Sequence, residues 1–189
     1  MKDVLTLPNA ITLSRLLAIP VLILIFFWGP LWLFYTVLAL VLASDLVDGA
    51  LARSQRQITA LGKLLDPVAD KMLFLSLFVA LAVEGRLPWW AVGAFAVPPM
   101  VLLLGALWLR WRSSRWLVIE ARALGKTSST MLSVGLVGLL LEPIFPTLSR
   151  VALFVLYGGI ALSYAALGEY IVIALKEWEE LRGDGSDKL

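Results

Sequence analysis

The chain has 189 residues, 60% of them hydrophobic and 16% charged, with no cysteine, no histidine and a formal net charge of +2. A soluble domain is about 45–50% apolar and about 25% charged, so this excess calls for an apolar solvent around the protein as well as an apolar core. Without Cys or His, disulfides, thiolate metal sites, cysteine nucleophiles and imidazole acid–base chemistry are excluded, which leaves carboxylates, hydroxyls, amines or a metal held by oxygen.

The amino-terminal MKDVLTLPN reads as a short surface helix stopped at Pro8, because the residue before a proline is pushed out of the helical region. Six apolar runs follow, at about Ile11–Trp28, Leu31–Ala52, Leu64–Val83, Trp89–Trp108, Ser128–Leu141 (short, and open to extension at its start) and Leu148–Leu175. Runs of roughly 20 apolar residues have the length that carries a helix across a hydrocarbon layer. No small-residue cleavage pattern ends the first run and five more follow, so it reads as a helix and not as a removable signal. The connections WGP at 28–30 and EGRLP at 84–88 are short enough for antiparallel neighbours. Pro20, Pro98 and Pro99 mark kinks inside their spans. The longer connection from Arg110 to Ser129 is basic, carries Trp111 and Trp116, and belongs in the headgroup layer. The tail KEWEELRGDGSDKL loses hydrophobicity and is expected to fray after Leu181. With no linker and no repeat, the chain is expected to form one domain over 1–181 with a polar tail at 182–189.

Six spans put both termini on one side of the membrane. That side collects 14 of the 16 Lys and Arg, leaving Arg86 and Arg150 opposite, so the positive-inside rule predicts cytoplasmic termini. The pI of about 9.0 follows from this topology and does not indicate nucleic-acid binding. The expectation is an all-α integral membrane protein of the cell (inner or plasma) membrane, with six transmembrane helices and a cytoplasmic-side active site.

The stretch SDLVDGALARSQRQITALGKLLDPVADK, Ser44 to Lys71, concentrates the chemistry. Residues three, four and seven apart share a helix face, so Asp45, Asp48, Gly49 and Ala52 form one stripe and Gly62, Asp66 and Asp70 another. A short loop lets the two stripes face each other. Four carboxylates in one small volume raise each other's pKa and need a positive occupant. Oxygen ligands alone select a hard cation, Mg²⁺ or Mn²⁺, and four aspartates suffice for a two-metal site of the kind used for in-line displacement at phosphorus. Gly49 and Ala52 keep the face low where a ligand approaches. Arg53, Arg56, Lys63 and Lys71 suit a metal bound together with phosphate, and Arg56 and Lys71 equally suit plain membrane topology. Pro67 is harmless if it lies in a first helical turn; if the helix runs through it, the carbonyl of Lys63 is freed beside the site.

Asp45, Asp48-Gly49, Ala52-Arg53, an eight-residue gap, then Gly62, Asp66 and Asp70 resembles, position for position, the signature of the CDP-alcohol phosphatidyltransferases. LPNAITLSRLLAIP and LDPVADK resemble segments of the bacterial phosphatidylglycerophosphate synthase and cardiolipin synthase branches, and six spans match the family core. The resemblance implies that Asp45, Asp48, Asp66 and Asp70 bind the metals, with Asp66 and Asp70 catalytic and Asp70 the general base toward an acceptor alcohol. It implies that Asp48, Gly49, Ala52, Arg53 and Gly62 border the CDP-lipid. It also implies homodimers and transfer of a phosphatidyl group from CDP-diacylglycerol to an alcohol, with CMP released. Asn9 and Thr12, with Arg15, share a face of the first span and suit either the nucleotide pocket or capping and snorkelling.

Among the basic residues of the long connection, Arg110, Arg112, Arg115, Arg122 and Lys126 suit lipid headgroups or an acceptor phosphate. GKTSS, Gly125 to Ser129, resembles a segment before the fifth span in the same branches, so Lys126 leads the acceptor-phosphate candidates, with Arg110, Arg115 and Arg56 behind it. Glu169 faces the bundle near the cytoplasmic end of the last span, beside a basic residue or the acceptor site. Those branches usually carry an Arg-Glu or Arg-Asp pair in the fourth span, whereas AVPPMVLLLG here holds no charge. Glycerol 3-phosphate is the favoured acceptor, followed by phosphatidylglycerol and an inositol phosphate. The rival from another class is a divalent-cation carrier, which would need polar residues continuing across several spans. The outer halves here are apolar.

Overall fold

The structure is a computed structural model that describes residues 7–55, 60–113 and 123–186, with side chains at 14, 16–43, 69–108 and 123–175. The described residues form six α-helices, α1 Leu7–Trp28, α2 Leu31–Gln55, α3 Ala60–Val83, α4 Trp89–Ser113, α5 Ala123–Leu140 and α6 Ser149–Ser186. A single 3-10 turn, Pro146–Leu148, leads into α6, and the described residues contain no strand. Helices are what such apolar runs must form, since they satisfy every backbone group within the segment.

Local chemistry sets the breaks. At the end of α1 the Gly29 N–H donates to the Ile25 carbonyl at 2.8 Å, and the Pro30 carbonyl accepts the N–H groups of Leu33 and Phe34 at 3.0 and 3.2 Å. One turn is thereby closed and the next opened by the same two residues. Gly85, at φ 74°, takes the left-handed conformation after α3 that glycine adopts without a steric cost.

Four boundaries correct the expectation from hydropathy. Helix α1 includes Pro8 in its first turn, where the missing N–H has no intrahelical partner to lose, so Pro8 does not stop a separate helix; residues 1–6 lie outside the described residues. Helix α3 begins at Ala60, so it runs through Pro67, and the Lys63 carbonyl loses its intrahelical donor. Helix α5 starts at Ala123 and not at Ser128. Helix α6 continues through Ser186, past the anticipated fraying at Leu181.

The chain divides into two compact units, Met1–Glu84 and Gly85–Leu189. In the first, α1 packs on α2 and α3 around large apolar side chains, among them Leu22, Phe34, Leu73, Leu77, Phe78 and Leu81, all buried. Phe26 meets Phe34 edge-on at 5.2 Å between ring centroids, which ties α1 to α2. In the second, α5 lies along α6, and α4 packs on α6 through contacts that include Trp90 and Tyr157, 5.1 Å apart.

The α5–α6 seam is built from small residues. A Cβ on Gly135 would stand 2.7 Å from the Leu156 backbone nitrogen, and one on Gly159 would stand 2.9 Å from that of Leu132. Both positions therefore admit no side chain, and the two backbones approach closely, the packing that helices use where lipid removes the hydrophobic drive. Within the seam Ser128, buried, donates its hydroxyl to the Gly159 carbonyl at 3.0 Å.

Three helical segments among the described residues are long and apolar enough to cross a membrane: Trp89–Trp108, Ala123–Leu140 and Pro146–Leu175. Helices α1 and α2 contribute shorter apolar stretches, Leu16–Trp28 and Leu31–Ala43. Many large apolar side chains face outward, including Trp28, Trp32, Trp89, Trp90, Trp108 and Phe154.

Candidate functional site

The acidic pattern falls on two consecutive helices. Asp45, Asp48, Gly49, Ala52 and Arg53 lie in the second half of α2, and Gly62, Asp66 and Asp70 lie in the first half of α3. At a rise of about 1.5 Å per residue, each aspartate pair sits roughly 10–15 Å along its helix from the shared connection. The spacing of three on α2 and of four on α3 keeps each pair on a single helix face. The Lys63–Pro67 carbonyl gap falls on the same stripe of α3 as Asp66 and Asp70, which adds an oxygen acceptor to that face.

Among the four aspartates, Asp70 has a described side chain. It is half-buried, between the fully buried Ala69 and the buried Leu73 three residues on. Among the described side chains no three acidic groups gather, and the side chains of Asp45, Asp48 and Asp66 lie outside that set, as do those of Asn9, Thr12, Arg15, Arg53 and Arg110. The donor chemistry fits a hard divalent cation: carboxylate oxygens with helical spacing, a freed carbonyl on one stripe, and no thiol or imidazole anywhere in the chain. Lys71, the residue after Asp70, is half-buried and holds its Nζ 6.0 Å from the centroid of the Phe74 ring on its own helix. That cation–π contact favours an anchoring role for Lys71 over one in binding phosphate.

The second group of candidates lies in the first turns of α5. Lys126 is exposed. The two hydroxyls that follow it are engaged: Thr127 Oγ1 donates to the Ala123 carbonyl at 2.8 Å and Ser128 Oγ to the Gly159 carbonyl at 3.0 Å. Thr130 Oγ1 donates to the Lys126 carbonyl at 3.0 Å. A phosphate accepts hydrogen bonds and needs donors, and Lys126, exposed and charged, is the cation of this stretch equipped to meet one. The start of α5 adds backbone N–H groups without intrahelical acceptors, which favours negative charge there. Of the other acceptor candidates, Arg56 and Arg115 lie outside the described residues, as does Arg122. Glu169 is half-buried on α6.

Two features escaped the sequence. One is the α5–α6 seam, whose signal was the recurrence of Gly125, Ser128, Gly135 and Gly138 at helical spacing. The other is an ion pair in the second unit, Arg86 Nε to Glu142 Oε2 at 2.8 Å, with the Arg86 guanidinium also donating to the Leu139 carbonyl in the last turn of α5. Arg86 thus caps α5 as a second donor to a last-turn carbonyl that also accepts the Glu142 N–H at 3.2 Å. As one of two basic residues on the sparsely charged side, it had served only as a topology marker.

Comparison with known proteins bears on residues 5–166, which match the family model described as CDP-alcohol phosphatidyltransferase. A "Probable phosphatidylglycerophosphate synthase" of Mycobacterium tuberculosis is 31% identical over 186 residues, covering 95% of this chain and 87% of the relative. A "CDP-diacylglycerol--glycerol-3-phosphate 3-phosphatidyltransferase" of Salmonella choleraesuis is 30% identical over 189 residues, covering 96% of this chain and 98% of the relative. A "Cardiolipin synthase (CMP-forming)" of Streptomyces coelicolor is 41% identical over 93 residues, covering 46% of this chain and 43% of the relative.

Proposed function

Because the chain belongs to the CDP-alcohol phosphatidyltransferase family, we propose that it transfers the phosphatidyl group of CDP-diacylglycerol to glycerol 3-phosphate and releases CMP. The observation that carries the transferase reading is the pattern of eight specified residues from Asp45 to Asp70, set on the consecutive helices α2 and α3. Relatives named for the glycerol 3-phosphate reaction are 30–31% identical over 95–96% of this chain and a "Putative cardiolipin synthase" of Mycobacterium bovis is 30% identical over 92% of it, so what favours glycerol 3-phosphate is the amino-terminal LPNAITLSRLLAIP and the basic sequence from Arg110 to Lys126 that suits its phosphate. The exposed Lys126 beside the start of α5 suits the phosphate of such an acceptor.

In the reaction, the acceptor hydroxyl oxygen bonds to the lipid-bearing phosphorus, and the bond from that phosphorus to the bridging oxygen of CMP breaks. CMP leaves with the electron pair, and the hydroxyl proton passes to the Asp70 carboxylate. Asp45, Asp48, Asp66 and Asp70 are the residues that would hold Mg²⁺ or Mn²⁺ ions, whose charge would steady the transferring phosphoryl oxygens and the departing CMP. Gly49, Ala52 and Gly62 leave room for the nucleotide, Arg53 meets its phosphate, and Asn9 and Thr12 border the cytidine side.

The same reading makes the protein a six-span protein of the cell membrane, with its reaction on the cytoplasmic side, acting as one domain and as a homodimer. The exposed tryptophans of α4 support a membrane-crossing placement. Trp89 and Trp108 are separated by 19 residues, or about 28 Å at 1.5 Å per residue, close to the roughly 30 Å of a hydrocarbon core.

The test follows CMP release by the purified protein in detergent, with CDP-diacylglycerol and Mg²⁺. Glycerol 3-phosphate, phosphatidylglycerol and inositol phosphate are supplied singly, and Asp70→Asn serves as control. Release with glycerol 3-phosphate, lost in the variant, is expected. Release with phosphatidylglycerol alone would transfer the assignment to cardiolipin synthesis, and absence of CDP-diacylglycerol binding would overturn the transferase reading.

A further inference from the structure

The geometry points to a positioning role for Tyr170 on α6: its hydroxyl, lodged over Gly125 in the first turn of α5, sets where Lys126 presents its charge to the acceptor phosphate. The inference rests on the proposed reading of Lys126 as a phosphate ligand.

Tyr170 is half-buried, and the contact with Gly125 lies at the tip of its ring. A Cβ built on Gly125 would stand 2.8 Å from Tyr170 Oη and 3.7 Å from the ring carbons Cε2 and Cζ. Glycine is therefore the residue that admits the hydroxyl at this point, and Lys126 follows directly. On α6, Gly159 and Tyr170 are 11 residues apart, three helical turns, so they share a face. Gly159 accepts the Ser128 hydroxyl, so α5 is tied to that face at Ser128 and again at Gly125.

The placement matters because the first turn of a helix lacks the hydrogen bonds that hold its interior and is prone to open. A lysine has a flexible four-carbon stem and binds as a point charge, so its affinity for a small anion depends on how well its backbone is held. Tyr170 clamps the turn that carries Lys126 while leaving the lysine exposed. The phenol also suits this location, with an apolar body against the helices and a polar tip at their end.

The experiment measures KM for glycerol 3-phosphate and for CDP-diacylglycerol, together with thermal unfolding, on the purified full chain. The variants are Gly125→Ala, Tyr170→Phe, the two combined, and Lys126→Gln. Gly125→Ala is expected to push the hydroxyl aside and raise KM for glycerol 3-phosphate about five- to tenfold, with KM for CDP-diacylglycerol within about twofold of the parent. Tyr170→Phe alone opens a gap over Gly125 and is expected to raise the same KM about two- to threefold, whereas in the double variant the Ala methyl at 125 fills that gap against ring carbons 3.7 Å away, an ordinary contact. The double variant should then recover to within about twofold of the parent, and Gly125→Ala should add nothing in the Lys126→Gln background.

A parallel rise in both KM values, no recovery in the double variant, or full additivity with Lys126→Gln would each overturn the positioning role. If Lys126→Gln raises KM for glycerol 3-phosphate and Gly125→Ala does not, the positioning role falls while the reading of Lys126 stands. If Lys126→Gln leaves that KM unchanged, both fall.

Discussion

The two compact units bury their helices by opposite means. In Met1–Glu84 the contact of α1 with α2 and α3 is filled by bulky side chains such as Leu22, Phe34 and Phe78, whereas in Gly85–Leu189 the α5–α6 seam is cleared by Gly135 and Gly159. A core filled by volume is harmed when volume is removed; a seam made by closeness is harmed when volume is added. The acidic pattern sits in the volume-filled unit and the acceptor-phosphate candidate Lys126 sits at the start of the seam.

The largest expected effect is on chemistry. Asp70→Asn should lower CMP release about a thousandfold, the scale of a lost general base, with thermal unfolding nearly unchanged because the side chain is replaced by an isostere. A comparable fall in stability would place Asp70 in the packing of its unit and remove the distinction.

Packing comes next. Leu22→Ala, at a fully buried position, should cost about 2–4 kcal/mol through the cavity it leaves. Gly135→Ala should cost about 2–3 kcal/mol for the opposite reason, since its methyl would stand 2.7 Å from the Leu156 backbone nitrogen and a helix must move. Thermal or denaturant unfolding in detergent reads both. A neutral Gly135→Ala would show that the seam is not close-packed.

Arg86→Ala should cost about 1 kcal/mol, modest because Glu142 is one-third exposed and the pair is partly screened. Glu142→Gln should do less, because the carbonyl of Leu139 still accepts from Arg86. Ser128→Ala should cost roughly 0.6 kcal/mol, typical of a hydrogen bond between membrane helices. No destabilisation is expected at Gly105 on α4, where an added Cβ meets nothing within 4 Å. Gly105→Ala should be neutral or stabilising by up to about 1 kcal/mol, since glycine is the poorer helix former. Set beside Gly135, it isolates close approach from helix propensity.

Much of the fold was legible because hydropathy and turn chemistry are local. Trp28, Leu31, Val83 and Trp89 bound their helices where the apolar runs suggested, and Gly29-Pro30 and Gly85 supply the breaks. The start of α5 lies five residues before the apolar run, an extension the short run left open and hydropathy could not place because Lys126, Thr127, Ser128 and Ser129 look polar. In the folded chain Thr127 bonds its own helix and Ser128 bonds α6, so both hydroxyls are compatible with helix. Of the two placements the sequence left open for Pro67, the structure has the helix running through it, a choice residue order could not make because a proline inside a helix looks in sequence like one at its start.

The candidate site divides along the same line. The aspartate pattern is a matter of spacing along two helices, so residue order alone yielded the donor set, its preference for a hard cation and the family resemblance. A sequence shows that Gly125, Gly135 and Gly159 lack side chains, but not whether the space is kept for a ligand, for another helix or for nothing. That depends on which residue of α6 lies opposite, a relation between positions up to 45 apart such as Gly125 and Tyr170. Composition and periodicity along one helix carry no record of such a neighbour, so the seam, the Arg86 cap and the clamp beside Lys126 emerged when the helices were packed.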